Sequence, residues 1–118
     1  MNLDLFERIC EKAYNDTDSC FTLEEVLYVF ETFFEKYEKY RGEPHPPLKI
    51  EQIKKLINLM PDCDSMYTSG EILFDCNVYP IIMEKYFHTD FYEDCNYRIN
   101  HFFSGQIREL LMYDCHLV

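Results

Sequence analysis

Apolar positions recur every three to four residues along most of the chain, the period of amphipathic helices. Near the start, Leu3, Phe6, Ile9, Cys10 and Ala13 follow that spacing, and the polar run Asn15-Asp16-Thr17-Asp18-Ser19 ends the first helix. Thr22-Leu23-Glu24-Glu25 then reads as a capping box. In such a box the Thr22 hydroxyl accepts from the Glu25 amide, and the Glu25 carboxylate accepts from the Thr22 amide. The helix that follows is the clearest feature of the chain. Leu23, Val26, Leu27, Phe30, Phe33, Phe34 and Tyr37 share one of its faces. Lys36, Lys39 and Arg41 suit the negative end of its dipole, and Gly42 suits the left-handed exit.

Glu43-Pro44-His45-Pro46-Pro47 is a stiff, extended connection. A third helix starts near Leu48 or Lys49, carries Ile50, Ile53, Leu56, Ile57 and Met60 on its apolar face, and stops at Pro61. Asp62 to Tyr67 reads as a polar loop, and Thr68-Ser69-Gly70-Glu71 as a second capping box. Ile72, Leu73, Cys76 and Tyr79 continue at helical spacing, with a short strand at residues 71–74 as the alternative. Pro80 either kinks this helix or opens a new one that holds Ile81, Ile82, Met83, Tyr86 and Phe87. Asp90-Phe91-Tyr92-Glu93 resembles a further helix start, with Cys95, Ile99, Phe102 and Phe103 as its apolar face. Ser104-Gly105 either breaks it or is tolerated at a cost of about 1 kcal/mol, and Ile107, Leu110, Leu111 and Tyr113 close the pattern. The expectation is an all-α fold, a compact irregular bundle of five to seven helices in a single domain over residues 1–118.

Composition agrees. Ten Phe, ten Tyr and 47% apolar residues can fill one core, and only three Gly argue against a turn-rich β fold. The net charge of −11 opposes direct binding to phosphate backbones. The first thirteen residues alternate charges with apolar positions, unlike a signal peptide, and no run is long enough to span a membrane. The expected compartment is therefore the cytoplasm. There the six widely spaced cysteines, Cys10, Cys20, Cys63, Cys76, Cys95 and Cys115, stay reduced.

Few patterns carry chemistry. The histidines His45, His88, His101 and His116 form no zinc motif, and the six-residue spacing of Cys95 and His101 matches none. Asp62-Cys63-Asp64 opens like a calcium loop, but Tyr67 and Leu73 stand where that loop needs Gly and Glu. No glycine-rich phosphate loop exists. The expectation is a protein without cofactor, metal or catalytic residues. Metal binding or Cys-His catalysis through His88, His101, Cys95 or Cys115 is the alternative of another class. Lys49, Gln52, Lys54, Lys55 and Asn58 form one locally basic run, which a helical DNA-binding regulator would use and which otherwise is the solvent side of its helix. Pro44 to Pro47, with Arg41 upstream, has the spacing of a proline-rich ligand but serves better as a rigid connection.

Partner binding has the most support. Glu24, Glu31, Glu35 and Glu38 fall within an arc roughly 60° wide on the long helix, and Tyr28 borders it. Carboxylates beside a core stripe are ordinary on amphipathic helices. Here they also form a row that imitates a phosphate track and suits a basic groove on a protein partner. Over its whole length, in size, acidity and helical pattern, the chain resembles small phage or mobile-element inhibitors of nucleic-acid enzymes, such as the anti-CRISPR proteins. The pattern Phe33-Phe34-x-x-Tyr37-x-x-Tyr40-x-Gly42-x-x-His45-Pro46 is also similar to small bacterial and phage proteins. The resemblance implies a non-enzymatic inhibitor whose acidic surface blocks a basic groove. An immunity protein or antitoxin covering a nuclease would use the same physics, and surface Tyr and Phe could also build a homodimer.

Overall fold

The computed structural model describes residues 2–19, 21–60 and 79–104. Among these, five helices follow in chain order: α1 (Leu3–Asn15), α2 (Leu23–Arg41), α3 (Ile50–Leu59), α4 (Tyr79–Phe87) and the single turn α5 (Ile99–Phe102). No strand occurs among the described residues. The expected loop at 62–67, the second capping box, the strand at 71–74 and the closing segment at 107–113 lie outside them. No described helix is long and apolar enough to cross a membrane.

Both ends of α2 are built as its sequence dictates. Thr22 Oγ1 accepts from the Glu25 amide at 3.1 Å, and Glu25 Oε1 accepts from the Thr22 amide at 2.9 Å. At the other end Gly42 takes φ 78°, which glycine adopts without cost, and its N–H donates to the Glu38 carbonyl. Helix α1 packs on α2 and carries α3 on another side, while α4 packs on α2 separately. This places α2 at the centre.

The buried face of α2 is Val26, Val29, Phe30, Phe33, Phe34 and Tyr37. Leu23 and Leu27, expected in the stripe, are not fully buried, and Val29 joins it. The face is turned toward α4 because Phe33, Lys36 and Tyr40 on that flank all meet α4. Phe33 rests on Phe87 at 5.2 Å between ring centroids and on Phe102 at 5.4 Å. On the opposite flank Phe6 of α1 meets Phe30 and Phe34 edge-on at 5.3 and 5.0 Å. Each such pair is worth about 0.5–1.5 kcal/mol beyond area burial. Leu3, placed in the first apolar stripe, is 45% exposed, since it opens the helix at the rim of the core.

A polar pin fixes α4. Lys36 pairs with Glu84 Oε1, and the Tyr40 hydroxyl donates to Glu84 Oε2 at 2.6 Å. The bonds from Lys36 and Tyr40 hold the Glu84 carboxyl down at about 2.

The expected helix start at Asp90 is not formed. Residues 89–98 run as an irregular connection with a turn at 93–94, and helix begins only at Ile99. Tertiary packing overrides local propensity here. Phe91 and Tyr97 turn inward onto Tyr86, at 5.1 and 5.5 Å. Tyr97 adopts a left-handed φ of 54°, its hydroxyl donates to the Thr89 carbonyl at 2.7 Å, and the Arg41 guanidinium lies 4.8 Å over its ring. These bonds outweigh the roughly 1–2 kcal/mol that a left-handed side-chain residue costs.

His45 carries the connection between α2 and α3 into the core, where it is 3% exposed. Its Nδ1 lies 2.8 Å from the Pro46 carbonyl and its Nε2 lies 3.1 Å from the Ile99 amide. The carbonyl can only accept and the amide can only donate, so the ring is neutral with its proton on Nδ1. Burial lowers its pKa, against the opposing pull of the Pro46 carbonyl and with help from the Arg98 charge. The unfolded chain therefore binds a proton more readily than the folded one. His45 contributes stability that is complete above about pH 6.5 and is lost as the pH falls below it. His45→Ala is expected to cost about 3 kcal/mol at neutral pH and to lose less than the wild type does on acidification. Urea midpoints of both proteins at neutral and mildly acidic pH check this, and parallel acid profiles would contradict it.

Candidate functional site

The acidic row of α2 lies on the flank that faces α1. From Glu24 to Glu38 it spans about 21 Å at the helical rise. Glu35 and Glu24 lie at the surface with Glu38, Tyr28 is 42% exposed, and Glu31 is half-buried. Their burial follows from the helix face: Phe30 and Phe34 turn into the core against Phe6, and Glu31 beside them meets the edge of α1.

Glu31, Glu35 and Glu38 line one open cavity of about 130 Å³, together with Leu3, Phe34, Pro44 and His45. Glu24 and Tyr28 are not among its lining residues, so the five expected positions divide into a cavity and an extension toward the start of α2. The walls are mixed: three carboxyl groups stand beside an aromatic ring, a leucine and a proline.

Glu7 of α1, which no sequence pattern singled out, joins this group. Burial first, then a hydrogen bond with the Glu7 carboxyl and the charges of Glu7 and Glu35, push Glu31 from an ordinary 4.5 to about 7. Beside the Glu7 and Glu35 carboxyl groups the charged form of Glu31 is disfavoured, so Glu31 holds its proton. At neutral pH Glu31 is therefore charged only part of the time. Beneath it, burial and the Glu31 charge push the Cys10 thiol up to about 12.

The residues of the alternative readings are partly brought together. Cys95 Sγ lies 3.5 Å from His101 Nδ1, and the Tyr86 hydroxyl lies 2.8 Å from the same nitrogen. His88 is elsewhere, at 3.3 Å from Tyr40 Oη and 3.6 Å from Glu84. Cys115 and His116 lie outside the described residues. Among the described residues no group of three or more His, Cys, Asp or Glu could hold a metal ion. In the basic run of α3, Lys54 is engaged by Asp16 at 3.0 Å and by Glu51 at 3.6 Å, and Gln52 accepts from the Lys49 amide at 2.9 Å. Lys54 and Gln52 are thus committed to structure.

The chain matches no family model, no curated protein and no solved structure.

The raised value of Glu31 has a measurable sign. Below about pH 4.5 the group is protonated both folded and unfolded, and its contribution to stability is complete. As the pH rises through about 7 the folded chain must give up a proton it holds tightly, and that stability is lost. Glu31→Gln is expected to gain stability relative to the wild type as the pH rises from about 5 to about 8. Chemical denaturation at both ends of that range checks it. An equal difference at the two ends would show that Glu31 titrates normally.

Proposed function

We propose that the protein is a non-enzymatic inhibitor that docks its acidic α2 flank into a basic groove of a nucleic-acid-processing protein. The observation that carries this reading is the shared cavity of Glu31, Glu35 and Glu38, where carboxyl groups stand beside the Phe34 ring. A Lys or Arg side chain suits such a place, since its stem packs on apolar atoms while its head meets the carboxylates. Glu24 and Tyr28 extend the contact along the helix. Tyr28 is an exposed aromatic of the type that anchors interfaces. Phage-encoded antagonists of the anti-CRISPR kind fit this description, and an immunity protein or antitoxin covering a nuclease would use the same surface.

The crowding around Glu31 supports recognition by a cation. Glu7, Glu31 and Glu35 repel one another, and a partner's ammonium or guanidinium relieves that repulsion. Binding favours the ionised form of Glu31 and so releases its proton. By linkage, affinity increases as the pH rises through about 7. This dependence is opposite to the one expected if a histidine cation of the inhibitor met an acidic partner.

Calorimetry against basic nucleases, CRISPR effectors and toxin nucleases among them, tests the reading. Binding is expected to weaken with salt, to strengthen from about pH 6 to about pH 8, and to release a fraction of a proton. Changing Glu24, Glu31, Glu35 and Glu38 together to Gln is expected to weaken it by on the order of a hundredfold while the helical circular dichroism stays unchanged. Unchanged affinity in that variant would remove the electrostatic mechanism.

A further inference from the structure

The connection between α4 and α5 brings a thiol, an imidazole and a phenol to one point. Cys95 Sγ and Tyr86 Oη stand 3.5 and 2.8 Å from the same atom, His101 Nδ1. An imidazole nitrogen offers one lone pair or one N–H, so it makes only one strong hydrogen bond at a time. The shorter contact gives that bond to the tyrosine, whose O–H donates to Nδ1. The Tyr86 oxygen is also in hydrogen-bond contact with the Cys95 thiol, so the thiol proton reaches His101 through the phenol.

The surroundings keep the base ready. Burial lowers the pKa of His101, so its ring is neutral and able to accept at neutral pH. Burial raises the phenol of Tyr86, which therefore stays protonated and can pass a proton on without becoming a charged sink. Tyr92 covers the cluster from outside. Its ring lies edge-on to His101 at 5.6 Å, its carbonyl accepts from the Cys95 amide at 3.1 Å, and it is 58% exposed. Cys95 itself is 5% exposed, so entry is narrow and lies beside a side chain with solvent around it. Cys10 is the internal contrast, with no exposure and a thiol pushed up to about 12 by burial and Glu31.

We propose that Cys95 is a modification site, a thiol that exchanges with a small linear disulfide while His101 takes its proton. The Cys95 sulfur attacks one sulfur of the reagent. A new S–S bond forms, the reagent's own S–S bond breaks, and the departing thiolate collects the thiol proton from His101. Cys95 is oxidised, half of the reagent is reduced to a free thiol, and no other oxidant is needed. The site is independent of the acidic flank of α2.

The test is incubation of the full chain with hydroxyethyl disulfide, with the adduct at each cysteine followed by peptide mass spectrometry. Cys95 is expected to react at least about tenfold faster than Cys10. His101→Gln is expected to slow Cys95 by about a hundredfold, the lower range for a positioned base. Cys10 should remain protected in that variant. Tyr92→Ala, at an exposed position, is expected to speed Cys95 severalfold with Cys10 still protected. This second variant decides the matter where His101→Gln fails to fold, which reaction at Cys10 would reveal. Cys95 reacting no faster than Cys10, His101→Gln matching the wild type with Cys10 protected, or Tyr92→Ala giving no acceleration would each overturn the proposal.

Discussion

The buried amide of Ile99 is the constraint around which the described structure is arranged. A helix that starts inside a core presents N–H groups that need acceptors, and Arg98 at the cap position supplies no side-chain bond. His45 supplies the acceptor from a distant part of the chain. To do so it must stay neutral and point inward, which the Pro46 carbonyl secures by accepting from the other ring nitrogen. One side chain thereby joins the exit of α2 to the start of α5. Phe33, Phe34 and Tyr37 close around its ring at 6.0, 5.0 and 4.7 Å. The prolines beside it do more than stiffen a link, because they hold the histidine where it can be inserted.

The same packing generates the electrostatics of the acidic flank. Phe6 and Cys10 must turn inward for α1 to cover α2, and this brings Glu7 against Glu31. The repulsion is thus a by-product of core formation, and it is relieved because Glu31 holds its proton to higher pH. On the opposite flank the outcome is reversed. Glu84 meets Lys36 and Tyr40 and is held fully ionised. Equivalent side chains on one protein are driven in opposite directions: Glu31 by burial and the Glu7 carboxyl of α1, Glu84 by the Lys36 and Tyr40 groups of α2.

Much of this was legible in the residues. The capping box, the apolar stripe and Gly42 define α2 together, since cap, period and exit agree. Helices α1 and α3 follow from their apolar period and their stops, with α3 starting one or two residues later than expected. The row from Glu24 to Glu38 could be read because it lies on one helix. Glu7 could not, because its proximity to Glu31 depends on how two helices pack. The Asp90 region misled because Cys95, Ile99, Phe102 and Phe103 have helical spacing while Phe91 and Tyr97 are drawn onto Tyr86. Cys95 and His101 meet through that same irregular path, so their spacing fits no motif. His45 between prolines was a signal of its own, a polar ring in a segment too stiff to turn it outward.

Tyr97 shows what such an irregular path demands of its residues. Its backbone angle is one that glycine or asparagine would adopt with less strain, yet its ring packs on Tyr86, Phe87 and Phe91. Backbone and core ask for different amino acids at one position. Glycine would satisfy the turn and leave a hole under Arg41, whereas valine or isoleucine would neither fill the space nor accept the dihedral. Phenylalanine would keep the packing but forfeit the bond to Thr89. Drift at this position is therefore confined to a very small set of side chains. Its partner at Thr89 is a backbone carbonyl, which any residue there would supply, so the constraint falls on position 97 and on the Arg41 cation above its ring.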